Sequence, residues 1–332
     1  MELEFIYTDS NRTELGQLSE CDLDIEIGKY KVASNDFELK MNQKNWNRAF
    51  DKGSFFYDED SEFGGLVKAK GIDTATNDIT FKGPTFRGLL EKEYIQPPNG
   101  QAYLVLKSGA GDAIRLLIDK RFGDLFVVDK EDEPINVNYQ VRDMNLLDAI
   151  ERMLLKADKP SRIDIKYKKG HVHLKAVPIR DLSDEVFLDN SYHVAMKVEE
   201  PTESFNHILC LGTGELTERI RVNLYRQKDG SWTEANTNLS FNKQTYKYED
   251  TNEADVSELK KKAIEKVNEA NGSNTVSVTF DSDTAELFDI VAAKEEITGV
   301  EFKEHVAKKI LKAKMNGFDA NVELEHKVGD NK

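Results

Sequence analysis

Residues Ala285–Met315 read AELFDIVAAKEEITGVEFKEHVAKKILKAKM, and this stretch decides the class of fold. It holds two long strand-like runs without a proline, and Thr298-Gly299 between them is a turn signal. A long two-stranded ribbon is marginal in water and needs a larger sheet, or neighbouring copies, to cover it. Nothing in it is arranged for chemistry. The stretch therefore points to assembly rather than catalysis.

The rest of the chain extends that reading. Residues 1–100 read mostly as strands: Leu3, Phe5 and Tyr7, then Leu23, Ile25 and Ile27, then Phe37, Leu39 and Met41, each set spaced by two. Such alternation puts one face in a core and the other in water. Pro97-Pro98-Asn99-Gly100 punctuates the chain and marks an expected boundary. The period then changes. Asp112–Arg121 and Asn145–Lys156 carry apolar residues at helical spacing, with Asp143 or Asn145 as the cap of the second. A hairpin turning at Lys169-Gly170 follows, so residues 101–188 form an expected α+β module. Strands return after Tyr192, with His207–Leu211 as a buried-looking run and Lys228-Asp229-Gly230 as a turn. Asp255–Asn271 reads as a helix opened by a capping-box pattern, Asp255 with Glu258.

Composition narrows the function. The 332 residues include 61 acidic and 46 basic ones, a formal net charge of −15. That balance argues against tight nucleic-acid binding, which needs basic patches. No stretch approaches the ~20 consecutive apolar residues of a membrane helix, so no membrane insertion is expected. The acidic, alternating N-terminus lacks the basic and apolar regions of a secretory signal. Cys21 and Cys210 are two isolated thiols rather than a disulfide framework, as expected of a chain made in a reducing cytoplasm.

Four patterns invite chemistry, and each has a plainer explanation. Leu211-Gly212-Thr213-Gly214 follows a strand, but position 217 is Thr where a dinucleotide fingerprint needs Gly, so a turn is expected. His171 and His173 share one face of a strand with Lys175; the cationic neighbour and the missing third ligand argue against a metal. Asp58, Glu59, Asp60 and Glu62 lack the loop Gly and closing Glu of a calcium loop and read as a solvated hairpin tip. Cys210 lies within an apolar run, as an inert core thiol does. No catalytic, cofactor-binding or metal-ligating residue is expected, and the chain reads as a non-enzyme.

A further set of segments carries a resemblance. Gly65–Ala69 (GLVKA) and Asp289–Ala293 (DIVAA) are similar extended blocks near the two ends. With them come Asn35–Leu39 (NDFEL), Phe81–Leu90 (FKGPTFRGLL), Tyr94–Pro98 (YIQPP), Gly111–Ile114 (GDAI), Asn145–Ile150 (NLLDAI), Asn206–Gly212 (NHILCLG) and Asp289–Gly299 (DIVAAKEEITG). In this order the set resembles the siphophage tail hub family, which includes the N-terminal hub region of tail-associated lysins.

The resemblance implies a mainly β, α+β fold with two tube-like β-barrel domains and smaller modules between them. It divides the chain into a first β-barrel-like domain at 1–100, the α+β module at 101–188, and a second β-barrel-like domain at 189–332 with a helical insertion at about 253–281. Similar proteins form homotrimeric rings, in which two β domains per chain let a threefold ring dock on a sixfold tube. The implied role is a phage or prophage baseplate hub that joins the tail tube to the host-facing tip and leaves a channel for tape-measure protein and DNA. The implied partners are sister copies, a distal tail or tail tube protein and a tail fibre or tip protein, with DNA passing unbound. The implied location is the virion tail, assembled in the host bacterial cytoplasm. Longer relatives add a hydrolase or fibre segment; this chain is expected to leave lysin activity to another protein. Three copies carry three times −15, that is −45, a charge to which DNA phosphates would not stick. The rival classes are a tail-associated cell-wall hydrolase, which needs a carboxylate pair or metal in a cleft, and a host-surface polysaccharide-binding adhesin, which needs exposed aromatics on β faces.

Overall fold

Period-two spacing builds the dominant element. Cys21, Leu23, Ile25 and Ile27 are the buried positions of the strand Glu20–Gly28, and Phe37, Leu39 and Met41 those of Asp36–Asn42. Their neighbours Asp22, Asp24, Glu38 and Lys40 point the other way and are exposed. The computed structural model describes residues 3–183, 187–188, 195–199, 205–236, 239, 242–271, 275–280, 285–294, 301–316 and 319–328. The fold is α+β and mainly β.

These strands join a ten-stranded sheet. Its order is Ala195–Glu199, Thr275–Phe280, Asp319–Val328, Glu301–Asn316, Glu20–Gly28, Asp36–Asn42, Asp78–Pro84 and Ala69–Asp73. Ile290–Lys294 branches from Glu301–Asn316 and pairs in turn with Phe187–Leu188. Among the described residues this path is open at both ends, with no closed barrel. The quoted ribbon is real: Ile290–Lys294 and Glu301–Asn316 pair antiparallel from Ile290↔His305 to Lys294↔Glu301. Its turn at Thr298-Gly299 lies outside the described residues. The strand Glu301–Asn316 also lies antiparallel to Glu20–Gly28, from Lys308↔Gly28 to Asn316↔Glu20. Leu311, Ala313 and Met315 are thereby buried beside the N-terminal strands, and Met315 Sδ sits 3.8 Å from Cys21 Sγ.

The chain folds as two units. The large one comprises Met1–Met196 with Val278–Asn331; the small one comprises Lys197–Ser277. In the large unit, helices α1 (Phe86–Leu90), α2 (Ala110–Ile118) and α3 (Leu146–Leu155) share one apolar core with the hairpin Ser161–Lys168/His171–Pro178. That core includes Phe55, Tyr57, Phe86 and Ile95 as well as Leu106 and Ile150, so it spans both sides of the Gly100 turn. Asn145 caps α3 by accepting from the N–H groups of Leu147 and Asp148. Lys169 and Gly170 both have positive φ, as a two-residue hairpin turn requires. Helix α1 packs so closely that a Cβ on Gly88 would meet the Asn35 carbonyl oxygen at 2.0 Å.

The small unit is a four-stranded sheet in the order Trp232–Thr233, Arg221–Arg226, His207–Leu211 and Thr245–Glu249, with helix α4 (Val256–Asn271) packed on it. Leu259, Ala263 and Val267 at helical spacing meet Ile208, Cys210, Val222 and Leu224. Asp255 accepts from the N–H groups of Ser257 and Glu258, as its position before α4 predicts. Within the insertion expected at about 253–281, α4 ends at Asn271 and Thr275–Phe280 is a strand, as the period-two spacing of Val276, Val278 and Phe280 implies. No helix among the described residues is long and apolar enough to cross a membrane.

Candidate assembly surface

The patterns with possible chemistry resolve into structural roles. Leu211 ends the strand His207–Leu211 and Gly214 has φ +98; only the three-residue 3-10 turn Leu216–Glu218 separates the glycines from the next strand, Arg221–Arg226, where a dinucleotide site needs a long helix. His171 Nδ1 donates to the Asp124 carbonyl oxygen at 2.8 Å, and His173 Nδ1 meets Asp129 Oδ1 at 2.8 Å. Both histidines thus hold the chain flanking Phe126–Val128, which runs parallel to His171–Pro178. Cys210 is buried in the small unit's core, and burial lifts its thiol to about 11. Burial likewise lifts Cys21 to about 12. Among the described residues, no group of three or more His, Cys, Asp or Glu side chains is placed to hold a metal.

The acidic loop departs from expectation at Asp58 and Glu62, which turn inward, and keeps to it at Glu59 and Asp60, which are exposed. Asp58 is buried and accepts from the Glu4 N–H at 2.8 Å, and burial raises its carboxyl. Glu59 accepts from the Lys169 N–H at 2.9 Å, Asp60 lies 3.3 Å from Lys168 Nζ, and Glu62 lies 2.6 Å from Arg87 Nε. The loop is the tip of the hairpin Phe55–Asp58/Gly64–Leu66, with Glu59 and Asp60 exposed as expected, and it also ties that tip to the hairpin Ser161–Pro178 and to α1. Sequence shows the four carboxylates but not the counter-charges, which lie far along the chain.

Two buried ionic clusters were not legible beforehand. Arg87, fully buried on α1, is held by Glu62 and lies 3.5 Å from Glu151 of α3. Burial opposes the arginine's charge, and the two carboxylates more than offset that, keeping it protonated. Glu151 also accepts from the Tyr30 N–H at 3.1 Å. Burial raises the Glu151 carboxyl to about 7, against the pull of Arg87, whose closer partner is Glu62. The second cluster centres on Asp289, fully buried at the head of the quoted ribbon. It accepts from the Arg180 N–H at 3.2 Å, from the Arg180 guanidinium, and from the Glu286 N–H at 3.0 Å. Arg162 Nε lies 3.7 Å away. Glu62, Glu151 and Asp289 thus tie together segments that lie far apart in the chain, the second cluster reaching the surface through the half-exposed Arg180.

What the fold does present to solvent is the outer face of the large sheet. Register aligns its charges in rows: Lys314, Asp22, Lys40; and Lys312, Asp24, Glu38, Lys82. Lys82 pairs with Glu38 and Lys40 with Asp78. Partial desolvation by its neighbours on the sheet, aided by Glu26, Glu38 and Asp36 and opposed by Lys312, raises the Asp24 carboxyl although the residue is exposed. Open grooves of about 530 and 740 Å³ run along this face, the first lined by Asp22, Asp24, Glu38, Lys40, Lys312 and Lys314. In these rows each acid has a lysine on one side, although Asp24 and Glu38 lie directly opposite one another.

This architecture is one that occurs in phage tail proteins. The fold is similar to that of the prophage tail protein gp18 from Listeria monocytogenes EGD-e, with a TM-score of 0.50 and 11% identity over 99% of this chain and 95% of that one. It is similar also to the 43 kDa tail protein of prophage MuSo2 from Shewanella oneidensis, with a TM-score of 0.52 and 12% identity over 98% of each chain. No family model matches the sequence, and no curated protein sequence matches it.

Proposed function

We propose that this chain is a structural, non-enzymatic hub of a phage or prophage tail. Three copies form a ring that joins the tail tube to the host-facing tip and leaves an axial passage for tape-measure protein and DNA. The observation that carries this reading is the length of the likeness in fold: it runs over 98–99% of the chain, not over one module, and the similar proteins are tail proteins. The interleaved charge of the sheet's outer face fits a passage wall, because paired charges offer phosphates no basic patch to grip. The partners on this reading are sister copies, a distal tail or tail tube protein, and a tail fibre or tip protein; the location is the virion tail, assembled in the cytoplasm of the host bacterium. The test is the mass of the purified chain in solution by light scattering, followed by negative-stain imaging. A ring of three times 37.8 kDa, about 113 kDa, with a central hole is expected. A monomer that persists at high concentration and shows no rings sinks the reading.

A further inference from the structure

His207 opens the strand His207–Leu211, which lies between Arg221–Arg226, antiparallel to it, and Thr245–Glu249, parallel to it. Register sets Tyr225 and Thr245 on its two sides. Alternation puts His207 on the sheet face turned away from α4, since the helix packs on Ile208 and Cys210. Even so, His207 is only 2% exposed. Both ring nitrogens are engaged: Nε2 lies 3.0 Å from Asn223 Oδ1, and Nδ1 lies 3.0 Å from Thr245 Oγ1. An amide oxygen can only accept, so Nε2 carries the proton and Nδ1 accepts from the Thr245 hydroxyl. In its neutral form the imidazole therefore ties three strands together.

A second proton has to go on Nδ1. The Thr245 hydroxyl must then turn its own proton away, and a positive charge is left out of water beside two neutral partners. The nearest charged neighbour is itself a cation: Lys243 Nζ lies 5.7 Å from the centre of the Tyr225 ring, which packs 4.8 Å from the His207 ring. Further along the same face come Lys247 beside Leu209, then Arg221 and Glu249 beside Leu211. Glu249, the carboxylate of that set, is at the far end and already paired with Arg219 and Lys247. Burial and the Lys243 charge hold the imidazole below its ordinary range, against the pull of the Asn223 bond. Its contribution to stability is therefore full above the usual 6.5 and is lost as pH falls below that value. The large unit holds a group of the opposite sense, because Glu151, at about 7 in the fold, favours the folded chain more as pH falls from 7 to 4.5.

We infer that His207 is an acid-sensitive latch: by taking up a proton it parts the strands it bridges and loosens the small unit in mild acid, while the large unit stays closed. The latch stands whether or not the chain forms a ring. Parting begins where the two seams share an end, at the Gln244 carbonyl oxygen that accepts from the Asn206 and His207 N–H groups at 3.1 Å and at the Gln244 N–H that donates to Asn206 Oδ1 at 2.9 Å. The chain has two tryptophans, one in each unit: Trp46 in the large and Trp232 in the small. Trp232 packs against the small unit's core, and its Nε1 donates to Asn268 Oδ1 of α4 at 3.3 Å, so its fluorescence reports that unit.

The test is urea unfolding of the full chain between about pH 7.5 and about pH 5, followed by fluorescence in two backgrounds. Trp46→Phe leaves Trp232 to report the small unit, and Trp232→Phe leaves Trp46 to report the large one. The small unit's midpoint is expected to fall by about 0.5 M urea or more across this range, and the large unit's to hold or rise. His207→Gln keeps a donor for Asn223 and an acceptor for Thr245 but takes up no charge, so it should abolish the fall. Lys243→Gln changes an exposed residue and removes the neighbouring cation, so it should keep the fold and lessen the fall. A fall of equal size with and without His207→Gln, or no fall in either, overturns the latch. A large unit that falls as far as the small one overturns its selectivity. If His207→Gln does not fold, Lys243→Gln decides: a fall as large as that of the unaltered small unit overturns the inference.

Discussion

The two units solve the same problem by different means. The small unit is local: an 81-residue span, Lys197–Ser277, in which a capped helix covers a four-stranded sheet through seven buried side chains. Its described ion pairs, such as Arg219–Glu249 and Lys262–Glu253, lie at the surface. The large unit is discontinuous: the strand Glu301–Asn316 pairs with Glu20–Gly28 across most of the chain. It buries charge, placing Arg87 and Asp289 at 0% exposure where distant segments meet. Apolar contacts are interchangeable in direction, whereas a buried ion pair tolerates few arrangements. The difference is one of reach: buried charge lies where remote segments of the large unit meet, beside the apolar core they share, while the short contiguous span is held by periodicity and a cap.

The sharpest way to break the comparison is to remove the cation of the first cluster. Arg87→Met leaves Glu62 and Glu151 without their shared partner in the interior. Losing one member of such a cluster costs about 3–5 kcal/mol. The large unit should therefore unfold at markedly lower denaturant, while hydrogen exchange in Val256–Asn271 stays at its wild-type rate. Equal loss of protection in both units would show that they unfold together and would undo the contrast.

How much of this was legible beforehand depends on the distance between partners. The strand faces at Leu23–Ile27 and Phe37–Met41, the Asn145 cap, the Lys169-Gly170 turn and the Asp255 cap all rest on neighbours within a few residues, and the structure keeps them, though the Asp255 N–H is taken by Glu253 and not by Glu258 as a full capping box requires. The clamp role of Asp58–Glu62 was not legible, because Arg87, Lys168 and the Lys169 N–H lie far along the chain. Nor was Arg87 itself: one arginine in FRGLL looks like a surface residue, and only Gly88 after it, needed for close approach to Asn35, hints at burial. The strand Ala69–Asp73 escaped because Gly71 and the polar run after it mask its alternation. The third strand of the C-terminal ribbon, Asp319–Val328, also went unread, although Asn316-Gly317 ahead of it and the period-two spacing of Ala320, Val322 and Leu324 are both legible in the sequence.

A subtler test separates charge from packing within the same cluster. Glu151 has a folded carboxyl near 7, against a usual value of 4.5, and it faces Arg87, Lys29, Asp148 and the Tyr30 N–H. Between those two pH values the folded chain keeps a proton that the unfolded chain has released. The residue's contribution to stability is therefore fully present below 4.5, falls as pH rises through the window, and is constant above about 7. Glu151→Gln keeps an oxygen for the Tyr30 N–H but cannot ionise. Wild type and variant should match in stability near pH 4.5, with the variant gaining relative to wild type up to pH 7.5, measured by urea unfolding at each pH. A difference that does not change with pH would mean that Glu151 is ionised in the fold throughout and that Arg87 outweighs burial.

The smallest effect belongs to the small unit, and it tests whether that unit depends on local signals. Asp255 accepts from the N–H groups of Ser257 at 2.7 Å and Glu258 at 3.2 Å, two donors that the first turn of α4 leaves without helical partners. Its charge also faces the positive end of the helix dipole. Asp255→Ala removes both contributions and should cost about 1 kcal/mol. Because Leu259, Ala263 and Val267 still anchor the helix, the loss should appear as faster amide exchange at the start of α4, without change in the hairpin Ser161–Pro178. Asp255→Asn separates the two causes: it keeps the accepting oxygen and drops only the charge, so it should recover most of the loss. If Asp255→Asn is as damaging as Asp255→Ala, the dipole interaction rather than the cap holds the helix start, and the small unit too depends on charge.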